Sequence, residues 1–404
     1  MSAAPLLTPR LADEAIQARV TCLPIESLPL AQCVGGTLRE NIYGERDQPP
    51  FDRVSMDGIA IDTQGLQGGR ARFELQGVQA AGAPPMRLQR PDMALEVMTG
   101  AVLPGGCDCV IPYEQIRIEQ RTAILGPGVD TSAWHNVHRR GSDSRQGALL
   151  LEAGTLLRAP EIAVVASAGM PRVRVSSQPA LMVISTGDEL VEPGDPIADY
   201  QVRRSNAYAV AAALRRRGFV RVGDDHVPDD EQQLRDRLAL HLKTHDVLIL
   251  SGGVSMGKFD LVPRVLGELG VEEVFHHIAQ RPGKPMWFGI GREGQSVFGL
   301  PGNPVSTLVC LARYVFPAIA AAMGARRQEP ERLALMAPVS LKAPLTLFMP
   351  VCIVHDDWGR PWADPRPTNG SGDFLSLAGT DGFVELPPGP NTYIKGYVSN
   401  VYRW

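Results

Sequence analysis

The chain has little of several things that decide a protein's class early. Its 404 residues include only six cysteines, at 22, 33, 107, 109, 310 and 352, and none has the two-residue spacing of zinc or redox motifs. Dispersed thiols of this kind read as buried and reduced, with Cys107-x-Cys109 the one close pair. Histidine is as sparse: of eight, only His276-His277 and His135-x-x-His138 lie near one another, and no HExxH pattern occurs. That argues against histidine-based metal catalysis. Basic charge is not concentrated either. Net charge is −4, pI is near 6.1, and the pairs Arg139-Arg140 and Arg203-Arg204 and the run Arg215 to Arg217 are short and scattered. No stripe for duplex nucleic acid is visible. No apolar run of roughly 18 residues occurs, and the first ten residues lack the basic-then-apolar pattern of an export signal. The expectation is a soluble, cytoplasmic protein.

What is present is ordinary globular material, 44% hydrophobic and 21% charged, enough for two to four domains of about 100 to 150 residues each. A helix is expected over 11–20, with Thr8 as N-cap, Pro9 at its first position, and Leu11, Ala15, Ile16 and Ala18 toward one side. From 48 to 145 short apolar runs (72–75, 93–98, 110–111, 116–118) alternate with Gly/Pro turns, the spacing of an inserted small β domain. Residues 1–47 and 146–177 then form a mixed α/β linker domain, including a helix at 160–168 stopped by Gly169 and a strand at 173–175. Residues 178–325 alternate strand and helix, predicting a three-layer α/β domain with a mostly parallel sheet. Its strands are 181–186, 247–250 and 296–300. Its helices are 206–217 with Ser205 or Asn206 as cap, 261–269, and 304–323, each followed by a glycine. From 326 to 404, short strands broken by Pro and Gly predict a C-terminal β barrel. The fold class is thus multidomain α/β plus β.

Three strand ends carry the chemistry. Leu181-Met-Val-Ile-Ser-Thr-Gly-Asp-Glu189 and Val247-Leu-Ile-Leu-Ser-Gly-Gly-Val-Ser255, followed by Asp260, stop abruptly at small residues, hydroxyls and carboxylates, as ligand sites do at the carboxyl ends of sheet strands. The run 296–300 ends in Pro301-Gly-Asn-Pro304, delivering a turn and a helix N-terminus to the same edge. Asp188, Glu189, Asp229, Asp230 and Asp260 gather there. Asp229, Asp230 and Asp260 also sit where an N-cap is wanted, whereas Glu189 beside a glycine is harder to read as a cap. Several carboxylates beside a phosphate-binding turn would repel an anion unless a divalent cation bridges them, which points to Mg²⁺. Arg281-Pro-Gly-Lys-Pro285 sets a guanidinium and an ammonium in one rigid loop, alternatively two solvated charges on a surface turn. In the insert, Ser55-Met-Asp-Gly58, Met98-Thr-Gly-Ala101 and Arg140-Gly-Ser-Asp143 stand out, although Asp57-Gly58 also suits a plain tight turn.

These segments occur in order with Pro49-Pro-Phe-Asp52, Cys107-Asp108 and Asn369-Gly-Ser-Gly372, across almost the whole chain. The set resembles the molybdopterin molybdenumtransferase family, the bacterial MoeA and gephyrin E-domain type. The resemblance implies an elongated four-domain subunit whose 178–325 domain is MogA-like, a homodimer, and insertion of molybdate into adenylated molybdopterin with release of AMP. It implies that Asp57, Thr99, Asp143, Glu189, Asp229, Asp260 and Lys284 form the catalytic set. Ser251, Gly252, Gly253, Ser255, His277, Arg281, Pro301, Gly302, Asn303 and Ser371 would bind substrate, and Glu189 and Asp260 would hold Mg²⁺. It also implies a site shared between subunits and contact with the adenylyltransferase of the same pathway. Two positions depart from the family pattern. Ile59 stands where an aromatic is usual, and His277, only partly charged near pH 7, stands at an upstream basic position. The alternative readings are a paralogous adenylyltransferase, against which the insert and the barrel argue; a non-catalytic scaffold, against which Asp57, Glu189 and Asp260 argue; and a pyridine-nucleotide hydrolase with a related domain.

Overall fold

A computed structural model describes residues 6–254, 261–341 and 343–404. They form two compact units: one comprises Asn41–Glu152 with Ala159–Arg172, the other Met1–Glu40, Ala153–Arg158 and Val173–Trp404. The larger unit starts with helix α1 (Pro9–Gln17). As expected, the Thr8 hydroxyl accepts the Leu11 N–H at 3.3 Å and Pro9 occupies the first turn. Its phase differs from the expectation. Ala12, Asp13 and Ile16 are the buried face, and Leu11 is 40% exposed. Asp13 explains the rotation, because its carboxylate turns inward to accept from Arg327 at 2.8 Å and lies 3.8 Å from buried Arg313.

The smaller unit is built on a six-stranded sheet of strands β1 (Gly58–Ile61), β2 (Arg72–Gln79), β3 (Met93–Val97), β4 (Cys109–Pro112), β5 (Ile116–Glu119) and β6 (Thr122–Leu125), in the order β4-β1-β3-β2-β6-β5. Alternation along β1 explains why it is buried throughout: Ile59 and Ile61 enter one apolar cluster with Phe73 and Ile111, while Ala60 enters another with Leu95 and Val110. Ile59 therefore packs as core. Cys107 and Cys109 are buried free thiols, each pushed up to about 12 by burial, and so inert. Helix α2 (Ala159–Ser167) belongs to the same unit.

The larger unit contains a second six-stranded sheet: β7 (Leu181–Thr186), β8 (Val222–Val227), β9 (Val247–Ser251), β10 (Glu272–His276), β11 (Trp287–Ile290) and β12 (Ser296–Leu300), ordered β8-β7-β9-β12-β11-β10. The first four are parallel; β11 and β10 run antiparallel at one edge. The parallel strands read as continuous apolar runs because both faces are buried. Leu181, Val183, Val247, Ile249 and Phe298 join one apolar cluster, and Ile184, Leu248, Leu250 and Val297 join another. Helices α3 (Ser205–Arg216), α4 (Glu231–Thr244) and α5 (Val262–Glu268) connect the strands. Neither Ser205 nor Asn206 caps α3: both lie inside the helix, Arg204 stands at the N-cap position without a side-chain cap, and Asn206 is used elsewhere.

Helices α6 (Pro304–Cys310) and α7 (Phe316–Ala322) are joined through a π-helical turn at Leu311–Val315. Arg313 interrupts the apolar residues of this segment, so it is not an unbroken apolar run, though it approaches a membrane span in overall character. Pro304–Ala322 is long and apolar enough by length and composition, but it is 78% buried inside the protein and carries Arg313. It is a core helix.

The last strands, β13 (Glu331–Leu335), β14 (Thr346–His355), β15 (Pro361–Pro365), β16 (Gly382–Leu386) and β17 (Val398–Arg403), pair in the order β14-β15-β13-β17-β16, and β16 returns to β14. This closes a five-stranded barrel, which leaves none of its own strands as a free edge.

Candidate active site

Strands β7, β8, β9 and β12 end level with one another. Ser185 pairs with His226 and Ser251, and Ser251 with Leu300. Beyond Ser251 the chain turns at Gly252 (φ +100°) and Gly253 (φ +67°). A Cβ on Gly252 would lie 2.7 Å from the Thr186 carbonyl oxygen, and one on Gly253 would lie 2.8 Å from Val262 Cγ2, so this turn admits only glycine. Beyond Leu300, Pro301-Gly-Asn303 leads into α6. The turn is fixed from behind by the Thr307 hydroxyl, which donates to the Pro301 carbonyl at 2.7 Å. Between these ends lies a cavity of about 940 Å³ lined by Thr186, Glu189, Asp229, Ser251, Gly252, Gly253, Pro301, Gly302 and Asn303, among others. The structure thus brings most of the sequence-derived set in the α/β domain into one crevice.

Its carboxylates divide by role. Glu189 is exposed at the rim. Asp188 accepts the backbone N–H of Asp229 at 3.0 Å, and Asp230 caps α4 by accepting from Gln233 N at 2.8 Å. The helix N-terminus is partly spoken for. Pro304 has no N–H, and Val305 N donates to the carbonyl of Ser371 at 3.0 Å.

Two side chains in this crevice went unseen in the sequence. Arg204 is 5% exposed; it donates to Ser185 Oγ at 3.0 Å, to the Asp225 carbonyl at 2.9 Å, and to the carboxylates of Glu192 and Asp224. Burial would lower its pKa, but those two carboxylates raise it, and Arg204 in turn holds Glu192 below the usual carboxylate range. Asn206, expected as a cap, instead spans two turns: its amide nitrogen donates to Ser251 Oγ at 2.9 Å and to the Gly302 carbonyl at 2.7 Å.

A second cavity of about 780 Å³ adjoins the first through shared Pro285, Pro301 and Asn303. Arg281, Lys284 and Ser371 line it, with Asn369 and Gly370 of the barrel domain and an apolar wall of Leu345, Leu347 and Phe348. Arg281 and Lys284 are exposed and form no ion pair among the described residues, so both charges face this space. His277 lines neither cavity. Its ring stacks on His276 with centroids 4.0 Å apart, and burial first, then that neighbour, lowers its pKa, leaving it neutral at pH 7.

In the smaller unit, Thr99 donates to Asp57 Oδ1 twice, from its N–H at 2.6 Å and its hydroxyl at 2.7 Å. These bonds hold Asp57 below the ordinary carboxylate range. Asp143 is likewise lowered, chiefly by His138 Nε2 at 2.7 Å. Nearby, burial and a bond to Glu96 push the Tyr113 hydroxyl up to about 12.

Ser255 and Asp260 lie outside the described residues. Among the described residues no group of three or more His, Cys, Asp or Glu side chains could hold a metal ion. Of the two expected Mg²⁺ ligands, Glu189 alone is seen, at the rim, so the described residues do not by themselves make a metal site.

Family models match the chain in three consecutive parts: the MoeA N-terminal region (domain I and II) over residues 9–169, a probable molybdopterin binding domain over 182–321, and the MoeA C-terminal region (domain IV) over 332–404. A molybdopterin molybdenumtransferase of Synechocystis sp. is 41% identical over 372 residues, 92% of this chain and 93% of that one. One from Staphylococcus aureus is 30% identical over 402 residues, 96% and 94% of the two chains. The crystal structure of a molybdopterin biosynthesis protein from Pyrococcus horikosii matches with a TM-score of 0.79 and 29% identity, covering 99% of each chain.

Proposed function

Since the chain belongs to the molybdopterin molybdenumtransferase family, we propose that it inserts molybdate into adenylated molybdopterin, with release of AMP, to form the molybdenum cofactor. It is a transferase of molybdenum cofactor biosynthesis. The observation that carries the reaction is the adjoining of two cavities of complementary character at one sheet edge. One is rimmed by the glycine turn, hydroxyls and Glu189 and suits the phosphates of an adenylated ligand. The other holds Arg281 and Lys284, which form no ion pair among the described residues, and suits a free oxyanion.

Within this reading Ser251 and the backbone of Gly252 and Gly253 receive phosphate oxygens. Arg281, Lys284 and Ser371 hold molybdate charge, and the shared Pro301–Asn303 turn aligns the two ligands while the dithiolene captures the metal. Catalysis is positioning and electrostatics on preformed groups. Asp57, kept ionised by Thr99, and Asp143 complete the set from the β insert. We place two copies in the active assembly, with Asp57 of one completing the crevice of the other, in the cytoplasm and in contact with the pathway's adenylyltransferase.

Mg²⁺ fits the charge balance of a polyanionic ligand beside Glu189. With Glu189 the one expected ligand among the described residues, no step is routed through the ion. Exhaustive chelation is expected to abolish AMP release and Mg²⁺ to restore it; full activity in chelated protein would remove the metal from the proposal. The reaction itself is tested by supplying purified protein with adenylated molybdopterin and molybdate and measuring AMP. No AMP release with both substrates present would overturn it.

A further inference from the structure

The start of α3 reaches all four parallel strands or the turns just beyond them. Arg204 bonds Ser185 on β7 and Asp224 and the Asp225 carbonyl on β8, and Asn206 bonds Ser251 on β9 and Gly302 just past β12. Chemistry fixes which way the Asn206 amide faces. The Gly302 carbonyl can only accept, so the atom 2.7 Å from it has to be the amide nitrogen. The same nitrogen donates to Ser251 Oγ at 2.9 Å, so Ser251 accepts there and its own hydroxyl proton remains available.

That pattern has two consequences at the rim. Ser251 is presented as a donor, the polarity a phosphate oxygen requires. The Gly302 carbonyl, which would repel an anion, is tied to the amide. Ser185 Oγ also accepts, from Arg204, and so keeps its proton, but only the Ser251 hydroxyl shares its donor with the Pro301–Asn303 turn; the buried Thr186 hydroxyl has no partner among the described residues. We propose that Asn206 is a positioning residue, which sets the direction of the Ser251 hydroxyl and locks the Ser251–Gly253 and Pro301–Asn303 turns into a single anion-receiving rim. This rests on the reading of the crevice as the adenylate site.

AMP binding by calorimetry on the full chain tests it through a double-mutant cycle. Asn206→Ala and Ser251→Ala are each expected to weaken AMP binding about 10-fold, the scale of one hydrogen bond to a charged group, and the double variant hardly more than either single. Asn206→Asp, nearly the same shape, is expected to bind AMP worse than Asn206→Ala, because a carboxylate takes the Ser251 proton and adds negative charge. Independent losses, about 100-fold in the double variant, would overturn the proposal, as would wild-type affinity in Asn206→Asp. If Asn206→Ala does not fold, the same cycle run with Asn206→Asp decides. Wild-type protein that neither binds nor releases AMP would instead remove the adenylate reading, and this inference with it.

Discussion

Thr186 carries a hydroxyl that is buried and unbonded among the described residues, pressed against the glycine turn. A buried hydroxyl without a partner costs about 1–3 kcal/mol of desolvation. Thr186→Val is therefore expected to stabilise the protein by about 1 kcal/mol in urea unfolding; a loss of stability would show that the hydroxyl is satisfied. At this scale the sequence was legible wherever the backbone imposes a residue type. Gly252 and Gly253 are dictated by the turn, and Ser251 and Asn303 by their places at strand ends. Arg204 and Asn206 were not legible, because their partners lie 12 to 96 residues away and nothing local marks the pairing. Asn206 in particular looked like a cap, the commoner use of asparagine at that spot.

One element that registers pH is the join between β8 and α4. Asp225, 8% exposed, accepts from Arg237 Nε at 2.9 Å and from His241 Nε2 at 2.6 Å, both on the helix. Burial alone would push the Asp225 carboxyl up, yet the bonds from Arg237 and His241 hold it below the ordinary value. A depressed carboxyl contributes stability that is present above the unfolded value, about 3.9, and is lost as pH falls through the folded one. Acid unfolding should accordingly steepen below about pH 4. Asp225→Asn should be less stable at neutral pH and show a flatter limb below that point; parallel urea midpoints for the two proteins from pH 6 down to 2 would contradict this. The central strands 181–186, 247–250 and 296–300 and most helices could be read from apolar periodicity and glycine stops, whereas β8, which reads Val-Gly-Asp-Asp-His-Val, carries no apolar run to mark it. The phase of α1 could not, because a buried carboxylate, Asp13, outweighs the apolar count in deciding which side faces in.

For the whole molecule, the order of motifs along the chain was legible, as was the closing barrel. The proposed site shared between two copies predicts a specific complementation result. Asp57→Asn and Asp260→Asn should each be inactive alone. When equal amounts are refolded together about half the dimers are mixed, and one site in each mixed dimer escapes both lesions, so about a quarter of all sites should recover. Mixed dimers that release no AMP would place both residues in one subunit's site.

The burial of Pro304–Ala322 has a consequence in time. Its residues Val305, Val309, Tyr314 and Phe316 share a core with Phe348, Leu377 and Phe383 of the barrel domain, all of which are synthesised later. Phe383 follows Ala322 by about 60 residues, so at 5–20 residues per second the emerging helix waits roughly 3 to 12 seconds for its last partner. During that interval the growing chain displays a segment with the length and composition of a membrane span. Ribosomes halted within the barrel would release chains whose most apolar helix lacks the part of its cover that Phe348, Leu377 and Phe383 supply, making the 3′ end of the message the place where truncation leaves apolar surface exposed.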